Sequence, residues 1–88
     1  MLLEDAYKIV QLPYVTEKTF ALIEKENKMV FLVSDKATKR KIKEAIELLY
    51  NVKVVGVDVM RVPKGKKAYV TLSPETPASE LASRIGVL

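Results

Sequence analysis

Apolar positions along the chain fall into short blocks whose period changes from one to the next. Tyr7 to Val10 is a strand candidate, closed by Pro13, which biases Leu12 away from helix. Thr16 suits the N-cap of a helix over Glu17 to about Glu26, with Val15 and Phe20 placed as a hydrophobic staple and Phe20 and Ile23 facing inward. Met29 to Val33 is an unbroken apolar run between Lys28 and the Ser34-Asp35 pair, the length of a strand buried on both faces or nearly so. From Thr38 the period becomes helical: Ile42, Ala45, Ile46 and Leu49 form one stripe, and Lys39, Arg40, Lys43, Glu44 and Glu47 lie off it.

Val52 to Val62 is rich in β-branched residues, and Gly56 inside it marks a bulge or a close approach. Val62-Pro63-Lys64-Gly65 suits a type I turn, with Pro second and Gly fourth. In the strand that follows, Ala68, Val70 and Leu72 alternate inward against Lys67, Tyr69 and Thr71. Thr76-Pro77 opens a short helix with Ala78, Leu81, Ala82 and Ile85 on its apolar side, and Gly86 closes it. The expected order is β-α-β-α-β-β-α, an α+β fold with a largely antiparallel four-stranded sheet packed with helices. No repeat, low-complexity tract or linker breaks the chain, so residues 1–88 are expected to form a single domain.

Composition narrows the function. The apolar fraction of 49% suits a folded core and not a disordered arm. There is no Cys and no His, which removes thiolate chemistry, disulfides, the commonest neutral-pH base and the commonest transition-metal ligand. Asp5, Asp35 and Asp58 lack metal-loop spacing, Asp35 suits a turn, and Gly56, Gly65 and Gly86 form no phosphate-binding glycine loop. No enzyme, metal or cofactor is expected. No apolar run is long enough to span a bilayer, and Glu4 and Asp5 follow Leu2 and Leu3 too closely for a signal peptide, so a cytoplasmic protein with no membrane insertion is expected.

Net charge is only +4, with an isoelectric point near 9.4, but the cations are segregated. Lys36, Lys39, Arg40, Lys41 and Lys43 form one stretch without an acid, and Arg61, Lys64, Lys66 and Lys67 form another. Together they hold nine of the 15 basic residues, and the rest of the chain carries eleven acids against six bases. Such segregation is the footprint of a polyanion binder; a solvated lysine-rich surface is the alternative. Cations at a helix N-terminus cost helix stability, and phosphates approaching that end would explain their presence. At the hairpin, Lys64, Lys66 and Lys67 either contact phosphates, with Arg61 adding a planar donor, or guard a sheet edge against aggregation. Tyr69 either stacks on an unpaired base or packs under a helix. Glu17 is accounted for by the positive end of its helix alone.

The ordered motifs "LPYVTEKTFALIEKENKMVFLV", "ATKRKIKEAIELLYNVKVVGVDV", "PKGKKAYVTL" and "ASRIGVL" resemble the universal large-subunit ribosomal protein family numbered twenty-three, in its archaeal and eukaryotic-type short form. The likeness spans roughly Leu12 to Leu88. It implies a non-enzymatic component of the large subunit that binds the third domain of large-subunit rRNA beside the nascent-chain tunnel exit. It further implies ribosomal protein number twenty-nine as a neighbour, and a docking platform for the signal recognition particle or other nascent-chain factors. Lys18 is a further expected rRNA-binding cation, and on this likeness Glu17, the acid of the "EK" pair, takes the docking position. Bacterial members carry a long tunnel-probing loop in the hairpin. Here only Pro63 to Lys66 is expected to join the strands, so the likeness implies a compact rRNA-gripping tip instead.

Overall fold

The computed structural model describes residues 1–63 and 65–87. Its elements are α1 (Leu3–Ile9), β1 (Val10–Pro13), α2 (Glu17–Glu26), β2 (Lys28–Val33), α3 (Lys39–Tyr50), β3 (Val54–Val62), β4 (Gly65–Leu72) and α4 (Ala78–Ile85). From β1 onward this is the expected β-α-β-α-β-β-α order. The four strands form one antiparallel sheet in the order β1-β2-β4-β3. One helix precedes that order. Tyr7, Lys8 and Ile9, expected in a strand, belong to α1, and the strand begins at Val10. Glu4 and Asp5 in the first turn and Lys8 in the last favour the helix dipole. Seven residues cannot hold a helix alone, and packing on α3 through the fully buried Ala6 supplies the rest.

Alternation along β4 divides the sheet into two faces. Ala68, Val70 and Leu72 are buried, and they meet Ile42, Ala45 and Ile46 of α3 and Ala78, Leu81 and Ala82 of α4 in one apolar cluster. Met29, Phe31 and Val33 of β2 belong to the same cluster. Register places Lys67 beside Met60 and Leu32, and Tyr69 beside Asp58 and Val30, on the opposite face. Gly56 is at the bulge between the Val54 and Gly56 pairings. The hairpin is tighter than expected: Val62 pairs directly with Gly65, whose φ of 134° no L side chain adopts readily. Lys64 lies outside the described residues, so the type I turn read there does too.

Both ends of α2 matter, and its start differs from expectation in the staple. At α2, Thr16 and Thr19 make a reciprocal capping box: Thr16 N–H donates to Thr19 Oγ1 at 2.7 Å, and Thr19 N–H donates to Thr16 Oγ1 at 3.3 Å. Thr19 and Ile23 are therefore the buried pair, while Val15 and Phe20 stay 40% and 37% exposed and no buried staple forms. At the other end of α2, Asn27 adopts the left-handed conformation, φ 55°, and caps the helix. Its Nδ2 lies 3.0, 3.1 and 3.3 Å from the carbonyl oxygens of Leu72, Ser73 and Thr76 and donates to them. Its Oδ1 accepts from Ala78 N–H at 2.6 Å, capping α4, whose N-cap Pro77 offers no side-chain acceptor.

Asn27→Ala is expected to destabilise the domain by about 2–3 kcal/mol, through buried groups left unpaired and the left-handed backbone. Asn27→Gly relieves only the backbone part, so it should unfold between wild type and Asn27→Ala in urea. Equal midpoints for the two variants would count against the left-handed contribution. Tyr50 stacks on Phe31 at 5.8 Å, and burial, with the Tyr7 hydroxyl as a smaller cause, raises its pKa above the ordinary value. Above pH about 10 the unfolded chain releases this proton while the native state keeps it, so stability falls as pH rises there. Tyr50→Phe is expected to flatten that alkaline limb in pH-dependent melting without altering the neutral-pH slope.

Candidate nucleic-acid interface

Lys39, Arg40 and Lys41 occupy the first turn of α3, with no acid among them, and Lys36 and Lys43 stand on either side of that turn. All five side chains are exposed. Thr38 accepts from Lys41 N–H at 3.3 Å, so the helix start is fixed by its cap and not by a compensating carboxylate. Cations and exposed helix amides thus share one corner, and both attract an anion.

The sheet brings part of the hairpin to the same corner. Val33, the last residue of β2, pairs with Lys66, and Lys66 pairs with Arg61. Lys66 Nζ donates to the Ala37 carbonyl at 3.1 Å, in the loop just before α3. Arg61 forms an ion pair with Asp35 at 2.7 Å, with both side chains well exposed. Asp35 lies in the tight turn closed by Ala37 N–H donating to Ser34 at 3.0 Å, which is the turn role expected of it. A pairing across 26 residues leaves no local signal in a stretch, Arg61 to Lys67, that holds no acid of its own.

Lys67 does not join this corner. The two-residue period that sends Lys66 to the helix side sends Lys67 to the opposite face beside Tyr69. There its Nζ sits 3.9 Å from the centre of the Tyr14 ring. Tyr69 is half-buried and opens onto a concavity of about 540 Å³ that Tyr14, Glu17, Lys18 and Lys67 also line. Tyr14 is absent from the residues nominated by sequence; as a lone aromatic after Pro13 it carries no pattern that would mark it. Glu17 and Lys18 stand at the exposed start of α2. The candidate cations therefore form two groups: Lys36, Lys39, Arg40, Lys41, Lys43, Arg61 and Lys66 at the α3 corner, and Lys18 and Lys67 with Tyr69 on the other face. Lys64 is outside the described residues.

Chemically, both places offer donors to an anion, and only the second adds aromatic faces. Among the described residues no three acidic side chains converge to hold a metal ion, and no helix is long and apolar enough to cross a membrane.

A family model described as ribosomal protein L23 matches residues 8–79. The chain belongs to the ribosomal protein L23 family. Relatives named large ribosomal subunit protein uL23 agree along nearly their whole length. That of Methanococcus vannielii is 49% identical over 84 residues, covering 94% of this chain and 98% of the relative. Those of Methanococcus aeolicus and of Methanococcus maripaludis strain C5 are 43% and 45% identical over the same spans.

Because the Arg61–Asp35 pair is exposed, Asp35→Asn is expected to change stability by less than about 1 kcal/mol. A loss above 2 kcal/mol in chemical denaturation would instead make this pair a structural clamp.

Proposed function

We propose that this chain is a non-enzymatic structural component of the large ribosomal subunit, in the cytoplasm, that grips large-subunit rRNA. The observation that carries the reading is the union of two basic segments, far apart in sequence, at the start of α3: Lys66 reaches the Ala37 carbonyl at 3.1 Å, beside Lys36, Lys39, Arg40 and Lys41. Several cations converging on one corner suit the closely spaced phosphates of a folded RNA, where a solubilising lysine would be better spread out. Contacts of this kind position the protein, and the shape of the folded RNA selects the site.

The finer assignment follows the family likeness. The target is the third domain of the rRNA, next to the tunnel exit, with ribosomal protein number twenty-nine as neighbour. The outward start of α2, with Glu17 exposed in its first turn, is free to take part in docking the signal recognition particle or another nascent-chain factor. A hairpin closed between Val62 and Gly65 is too short to probe the tunnel, which supports a role at its rim.

A third-domain transcript titrated across a salt series, with unrelated structured RNA as competitor, tests the reading. Tight, competitor-resistant binding is expected, with the logarithm of affinity falling steeply against the logarithm of salt. Lys39→Gln with Arg40→Gln should lower that slope by about two. An unchanged slope and affinity in the double variant would remove the α3 corner from the interface.

A further inference from the structure

On the face of the sheet opposite the core, the chain presents two tyrosines and two lysines around one concavity, and the phosphate-gripping corner at α3 does not use them. We infer that this concavity seats a single unpaired nucleotide of the bound RNA, its base stacked on Tyr69 and its phosphate held by Lys67 and Lys18. The inference rests on the rRNA reading and names a contact within it.

Four observations carry it. Tyr69 is held in place by strand pairing on both sides, opposite Asp58 and Val30, yet remains only half-buried, so part of its ring is open to a ligand. Lys67 projects to the same face, two residues earlier, and its ammonium lies 3.9 Å from the Tyr14 ring centre. That contact holds a flexible cation at the rim and occupies one face of Tyr14, leaving Tyr69 as the platform. The concavity measures about 540 Å³, inside the roughly 300–1,000 Å³ range of small-ligand sites. Glu17 is the one acid on its described lining. A carboxylate repels phosphate, so the RNA backbone enters along Lys67 and Lys18, on the side away from Glu17. An aromatic on a sheet surface beside cations is how proteins take splayed-out bases, since double-stranded RNA hides its base faces.

Stacking and charge have separable signatures. In titrations with the third-domain transcript, Tyr69→Leu is expected to weaken binding roughly 5- to 100-fold while leaving the salt slope unchanged. Tyr69→Phe keeps the ring and should bind within about twofold of the unaltered protein. Lys67→Gln should lower the salt slope by about one. Ultraviolet cross-linking of the unaltered complex, read by mass spectrometry, gives a check that needs no substitution: a nucleotide attached to Tyr69 is expected. If the unaltered protein binds specifically, but Tyr69→Leu binds equally well and no cross-link reaches Tyr69, the nucleotide seat is overturned and the rRNA reading survives. Loss of specific binding by the unaltered protein itself would overturn the rRNA reading, and the seat with it.

Discussion

The arrangement depends on one asparagine. Asn27 turns the chain out of α2 in a left-handed conformation and its carbonyl accepts from Leu72 N–H at 3.0 Å, starting the pairing of β2 with β4. The same side chain binds the end of β4 and the first amide of α4. One residue thus joins a helix end, the two central strands and the start of the last helix. Gly could supply the backbone conformation, but not the bonds; Asp could supply the acceptor, but would set a carboxylate against three carbonyls. A strand's side chains alternate with a period of two, so a slip of one residue here would exchange its faces. The register begun at Asn27 keeps Ala68, Val70 and Leu72 in the core and leaves Lys67 and Tyr69 outside it.

That alternation also organises the charge. Lys66 and Lys67 are neighbours in sequence but serve opposite faces, one tied to the loop before α3 and the other resting on Tyr14. The α3 corner then gathers cations without an acid in the helix's first turn, an arrangement that weakens the isolated helix and is offset by its buried stripe of Ile42, Ala45 and Ile46. Asp35 stands just before Lys36, and its partner Arg61 is held only through an exposed pair. An interaction of that kind is weak enough for a phosphate to compete with it. The core supports the corner, and the corner stays open to a polyanion.

Much of this was legible beforehand where the local pattern and the tertiary environment agree. The α3 stripe and its start near Thr38, the Thr16 cap, the bulge at Gly56 and the hairpin all follow from periodicity and turn chemistry over a few residues. Two errors arose where they disagree. Tyr7 to Ile9 has strand composition, yet packing of Ala6 on α3 makes a helix of it. Phe20 has the hydrophobicity of a core residue, yet the capping box turns Thr19 inward, and the burial spacing becomes Thr19 with Ile23.

Residue types at short separations carry the α+β class, the strand and helix order from β1 onward, the two basic stretches and the family likeness, so these were readable from the chain alone. Which cations stand together follows from the folded arrangement. It joined Arg61 and Lys66 to the α3 corner, sent Lys67 to Tyr14 and Tyr69, and gave Asn27 its four partners. Those contacts span from 26 to 53 residues of chain, and such pairings exist only once the sheet register has brought distant segments within reach of one another.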